Sequence, residues 1–227
     1  MQDLSTKIIE YLAIFLAIVI AMPAHEYAHA MVAVKCGDNT PKLNGRCTLN
    51  PFAHFDIVGF IMLMFIHFGW AKPVPVNPYN FKHLRRDYFF VSFAGIFTNL
   101  ILAFFFCPIA ILAIDYLIPL LPDVFGLFVF LFCSYFIVLN INLAVFNLIP
   151  LYPLDGFRIL ESATNGRGKV VDFLRKYGYV IFLVLFAINI LSDYLPALSY
   201  IDLLGNYLSF VTDHIYDWFI SFWLLIF

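Results

Sequence analysis

The most chemically loaded stretch of the chain is His25-Glu26-Tyr27-Ala28-His29. In a helix, positions i and i+4 lie one above the other on a single face, so the two imidazoles converge on one ion. Histidines at this spacing are a zinc-binding pattern, and the carboxylate beside them can take a proton from water at that ion. His25 and His29 are therefore candidate metal ligands and Glu26 a candidate general base. A bare H-E-x-x-H also occurs with no metal, as ordinary helix sequence. The surroundings weigh against that reading, because the motif stands inside an apolar stretch from Ile8 to Val34. An ionisable side chain at the middle of a membrane helix costs about 2.5–3.5 kcal/mol unless a partner compensates it. Pro23, just upstream, removes a backbone donor and frees a carbonyl for water or a partner; a simple packing kink explains it equally well.

A catalytic zinc site usually takes three protein ligands and keeps one position open. His54, His67, His83 and His214 are available, but none lies at a matching depth in a convergent element. Asp155 is the better candidate, within Asn147-Leu148-Ile149-Pro150-Leu151-Tyr152-Pro153-Leu154-Asp155-Gly156. Two prolines must interrupt the helix that begins near residue 124, and the broken backbone lets a carboxylate turn back into the membrane. Asp155 reads equally well as the N-cap of a short helix from Gly156 to about Glu161, and the two roles are compatible.

The elements that must position these residues follow from composition. The chain has 227 residues, of which 63% are apolar, 12% are charged and 28 are Phe, with a mean hydropathy of +0.90. Soluble domains run at about 45–50% apolar and about 25% charged, so the lipid bilayer is the main solvent here. At roughly 20 residues per span, an all-α polytopic membrane protein with five or six transmembrane helices is expected, as a single embedded domain over 1–227. Long apolar runs lie at 8–34, 88–114, 124–149 and 177–192. The first is too long for a signal-peptide core and reads as a retained helix. The last stretch, 206–227, either spans with Asp213 and Asp217 turned inward or lies along the interface. A net charge of -2 without a basic stripe argues against nucleic-acid binding. The four cysteines show no C-x-x-C spacing, so neither a thiolate zinc site nor a disulfide framework is indicated.

Charge sets the orientation. Apart from Lys7, every Lys and Arg falls in one of three places: Lys35 to Arg46, Lys72 to Arg86, and Arg158 to Lys176. The connections at 115–123 and 193–205 carry only acids. By the positive-inside rule the basic places are cytoplasmic, the N-terminus is outside, and the metal site lies toward the cytoplasm, with His29 roughly 9 Å and His25 roughly 15 Å below the helix end near Lys35. The run 57–70 then has both flanks on one side and is too short to span. It is expected to dip in and return, lining a cavity open to the cytoplasm.

Two short features add to this picture. Asn44-Gly45 predicts a small β-hairpin near the site. In the segment Lys72 to Pro78, Pro73 and Pro75 leave one edge without donors, while Val74 and Val76 present theirs on the other. An unwound substrate could add to that edge by β-augmentation, making Val74, Val76 and the following Asn77 candidate substrate-binding residues. A polyproline-like surface loop is the competing reading.

His25-Glu26-x-x-His29, Gly37-Asp38-Asn39-Thr40, Gly45 through Pro51 with His54-Phe55-Asp56, Gly69 through Pro78, and Asn147 through Gly156 together resemble the site-2 protease family, in its compact bacterial-type members without PDZ or CBS modules. The motifs recur in family order over residues 25–160. The resemblance implies an intramembrane endopeptidase of a bacterial-type cell membrane with one Zn2+ per chain. His25, His29 and Asp155 would be the ligands, Glu26 the base, and Asn147 a further active-site residue that steadies the oxyanion or the substrate backbone. Membrane-tethered proteins would be its substrates. The chain departs from the family in having Pro-Leu-Asp-Gly where many members have Asn-Pro-Asp-Gly, and in lacking Pro after Ala94-Gly95, where Ile96-Phe97-Thr98-Asn99 follows.

Three rivals have weaker support. A membrane iron oxygenase or desaturase needs many more histidines than the six present. A metal transporter would use intramembrane polar groups such as Asn99, Asn140, Asn142 and Asn189, but it leaves the Glu between two ligands unexplained and no internal repeat is visible. A catalytically silent homologue would be expected to have lost one of the four core residues, and all four are intact.

Overall fold

A computed structural model describes residues 4–59, 62 and 71–226. Helix α1 spans Leu4–Lys35 and continues through Pro23. Ala13, Ala17, Ala21, His25, His29 and Ala33 are all buried on it, one at every fourth position. This line of small side chains lets other helices approach closely and carries both histidines on the same face. The helix stops because Gly37 takes φ +110°, where L side chains are strained. Its amide donates to Val34 O and that of Asp38 to Ala33 O, a Schellman cap.

Helices α2 (Leu84–Leu112) and α3 (Asp123–Leu148) pack against α1 and against each other. Their buried faces hold Ser92, Gly95, Asn99 and Ala103 on α2, and Phe136, Asn140 and Ala144 on α3. Between them the chain widens into a π turn at Ala113–Leu117 and then tightens into a 3-10 turn at Ile118–Leu120. After α3 come the short α4 (Asp155–Ala163), α5 (Lys169–Ser192) and α6 (Leu203–Leu224). Phe219 of α6 joins Ala103, Cys107, Cys133 and Ile137 in the main apolar core, and Trp223 Nε1 donates to Phe104 O at 2.9 Å.

Among the described residues, Leu4–Lys35, Leu84–Leu120, Asp123–Leu148 and Lys169–Ser192 are long and apolar enough to cross a membrane. Phe97, Phe105 and Phe125 lie exposed on them, as lipid-facing side chains do. The fold is the all-α polytopic one expected. Helix α6, with Asp213 and Asp217, is not among the four spans, yet it is bound to the bundle through Phe219, Trp223 and the 2.8 Å bond from Thr212 Oγ1 to Asn142 Oδ1.

The three basic places gather at one end of the bundle. Lys82 N donates to Cys36 O at 3.0 Å, Arg85 donates to the carbonyls of Ser162 and Ala163 at 2.8 and 2.7 Å, and Arg175 pairs with Glu161 at 2.7 Å. Most of the run expected to dip into the membrane (residues 60–61 and 63–70), with His67, lies outside the described residues. Its flanks meet: Phe55 and Ala71 form an isolated antiparallel bridge, and Lys72 N donates to His54 O at 2.8 Å.

The hairpin expected at Asn44-Gly45 is corrected by the structure. Thr40–Leu43 forms one helical turn with Pro41 near its start, and Asn44 has φ -89°. A type I′ turn needs positive φ at both central residues, and here only Gly45 has it, at +67°.

Candidate metal centre

The broken backbone after α3 brings Asp155 to the two histidines. Helix α3 ends at Leu148, and α4 begins at Asp155 with Leu154 in the N-cap position. Asp155 is therefore the first residue of the helix rather than its cap. A Cβ at Gly156 would stand 2.5 Å from Ile149 O and closer still to Leu148 O. Only glycine lets the first turn of α4 fold back onto the last carbonyls of α3, and that turn delivers the carboxylate.

Asp155 Oδ2 lies 3.0 Å from His29 Nε2 and 3.3 Å from His25 Nε2, and the two Nε2 atoms are 3.0 Å apart. All three side chains are buried. His25 Nδ1 is 2.5 Å from Asn99 Oδ1 and His29 Nδ1 is 2.6 Å from Val91 O. Each acceptor oxygen draws the ring proton to Nδ1, leaving a lone pair on each Nε2. Three acceptors facing one another at this distance repel unless a metal ion, or a proton on one of the rings, lies between them. Bonds of about 2.0–2.1 Å from a tetrahedral zinc separate its ligand atoms by about 3.3–3.4 Å, close to what is observed. Room for the ion comes from Gly95, whose Cβ would lie 2.5 Å from His29 Nε2 and 2.6 Å from His25 Nε2. The donor set and the space above it fit zinc.

Glu26 stands beside the triad, and its Oε2 accepts from the amide of Val74 at 2.9 Å. The segment Lys72 to Asn77 carries no regular secondary structure. Of the two amides on its expected free edge, that of Val74 is taken by Glu26; Asn77, which by strand alternation belongs with Pro73 and Pro75, donates to Asp38 Oδ2 at 2.7 Å. Asn77 also caps the 3-10 turn Pro78–Asn80, and Val76 packs beside Ala33, Phe81 and Val91. Asp38, fully buried, collects further bonds from Thr40 N, Thr40 Oγ1 and Asn80 Nδ2. Burial alone would raise its carboxyl, but these bonds together hold it below the ordinary carboxylate range.

Asn147 lies eight residues before Asp155, across the break after α3, and its amide donates to Leu143 O at 2.9 Å, along its own helix. The alternative histidines are engaged elsewhere: His54 Nε2 with Thr48 O, and His214 Nδ1 with Phe210 O. His83 stands at the N-terminal boundary of α2. Sequence reasoning gave no role to Gly95 or Val91 and saw Asn99 and Asn140 only as intramembrane amides among several. A glycine within an apolar helix was the available signal for Gly95.

A family model described as peptidase family M50 matches residues 124–189, the part that contains Asp155. The chain is 44% identical over 182 residues to "Putative zinc metalloprotease YwhC" of Bacillus subtilis (strain 168), an alignment covering 79% of this chain and 81% of the relative. No solved structure matches the chain significantly. Four apolar helices, a buried His-His-carboxylate triad and this extent of identity lead to one assignment: the chain belongs to peptidase family M50, the site-2 protease family of membrane-embedded zinc metalloproteases.

Proposed function

We propose that the protein is an intramembrane zinc endopeptidase, one embedded unit over residues 1–227, that cuts peptide bonds in or near the transmembrane segments of membrane-tethered proteins. The observation that carries this reading is the triad of His25, His29 and Asp155, three acceptor groups within 3.0–3.3 Å of one another and buried among apolar helices. These three residues are assigned as the ligands of one zinc per chain, and the clustering of the basic connections at their end of the bundle supports a cytoplasmic-facing site.

Zinc bound there supplies a Lewis acid that polarises a peptide carbonyl and makes water more acidic. The remaining work belongs to the chain. Glu26 takes the proton from water and returns it to the departing amine. A substrate must be unwound before its carbonyl is accessible, and an extended strand along Val74, Val76 and Asn77 would keep it so. Docking there competes for the Val74 amide and leaves the Glu26 carboxylate free for water. Asn147 is assigned to steadying the oxyanion or the substrate backbone, which requires its amide to leave Leu143 O.

The test is reconstitution of the full chain in vesicles with single-span substrates. About one zinc per chain is expected, with cleavage that a chelator stops and added zinc restores. A fully zinc-loaded sample that cuts none of the tethered polypeptides offered would overturn the reading.

A further inference from the structure

The proton on His25 is directed from outside the metal centre. Asn99 Oδ1 faces His25 Nδ1 at 2.5 Å, Asn99 Nδ2 donates to Asn140 Oδ1 at 2.8 Å, and Asn140 Nδ2 donates to Phe136 O at 2.8 Å. Both amides are completely buried, at 0% exposure, so no solvent competes for them. They come from two different helices and reach a histidine on a third.

The order of this relay is fixed at its far end. A backbone carbonyl can only accept, so Asn140 must turn its NH2 toward Phe136 and its oxygen toward Asn99. That oxygen in turn requires the NH2 of Asn99, which leaves the Asn99 oxygen for His25. The ring must then carry its proton on Nδ1, and the lone pair on Nε2 is aimed at the ion. Reversing either amide would set two oxygens or two NH2 groups against each other inside a low-dielectric core, a costly arrangement. His29 needs no such relay, because Val91 O is itself a backbone acceptor.

We propose that Asn140 is a positioning residue which, through Asn99, locks His25 in the Nδ1-protonated tautomer and so presets the zinc site. The proposal rests on the reading of His25 as a zinc ligand. It assigns a function to two intramembrane amides that neither touch the ion nor reach a substrate.

The experiment uses the full chain in detergent micelles, with zinc affinity measured by competition against a chromogenic chelator and the His25 ring followed by 15N NMR in zinc-free protein. Asn99→Leu is expected to weaken zinc binding by about 10–100-fold, and Asn140→Leu by about 10-fold, the size of outer-shell effects. In both variants the 15N shifts should move from a single tautomer to a mixture. In Asn99→Asp the carboxylate can only accept, so adding Asn140→Leu to it should leave zinc affinity and tautomer unchanged. Asn140→Ser, too short to reach Asn99, serves if the leucine variant does not fold. An Asn140 variant with the affinity and tautomer of the parent would overturn the relay. Parent protein that binds no zinc, or a His25→Ala variant that binds it as tightly, would instead bring down the ligand assignment on which the relay rests.

Discussion

The amide of Val74 donates to the Glu26 carboxylate at 2.9 Å, so the segment proposed to receive a substrate is already joined to the group proposed to act on water. Glutamine at position 26 can still accept from that amide but cannot hold a proton from water. Glu26→Gln is expected to retain zinc at parental stoichiometry and to lose about 10²–10⁴-fold in cleavage rate. Metal analysis and initial rates on the same preparation check both halves. Normal cleavage by the zinc-loaded variant would remove Glu26 from the mechanism.

Gly95→Ala puts a methyl group 2.5 Å from His29 Nε2 and 2.6 Å from His25 Nε2, in the space the ion requires. Alanine is favoured over glycine inside a helix by about 0.5–1 kcal/mol, so α2 itself should form. Zinc content should fall to near none while the helical circular dichroism persists. Parental zinc content in this variant would show that the ion lies elsewhere.

The site was unevenly legible in the sequence. His25 and His29 could be paired because one helix sets their geometry and the i, i+4 rule needs nothing else. Asp155 could be suspected because Pro150, Pro153 and Gly156 mark where backbone leaves a helix and turns. Gly95, Asn99 and Asn140 could not be assigned, since their contacts depend on how three helices are rotated about their axes, and buried faces on apolar membrane helices carry little periodic contrast to reveal it. Asn44-Gly45 misled for a local reason: a glycine with positive φ suits the end of a helical turn as well as a hairpin, and Pro41 favours the helical turn.

The Asp38 clasp predicts a dependence on pH. Its carboxyl is held below the ordinary value of 3.8 in the folded protein, so its stabilising contribution is fully present above that value. The contribution is lost as pH falls through the lower folded-state value. Asp38→Asn should lower stability by about 1–3 kcal/mol near neutrality and flatten the acid limb. Thermal unfolding of parent and variant from about pH 2 to pH 6 measures both effects. Identical acid limbs would mean the clasp contributes nothing.

Val76→Pro removes one donor from the proposed docking edge without touching the Glu26 bond. It is expected to raise KM by about tenfold with a smaller change in kcat, the mark of lost substrate binding rather than lost chemistry. Unchanged KM for single-span substrates would argue against strand addition at this edge.

On α1, the residues assigned to hold the ion and those that let neighbouring helices approach occupy one unbroken row, from Ala13 to Ala33. Bulk added at an alanine and chemistry removed at a histidine therefore strain the same seam. A saturation survey of this helix should show intolerance recurring at every fourth residue, with no boundary visible between the positions that shape the protein and those that make it an enzyme.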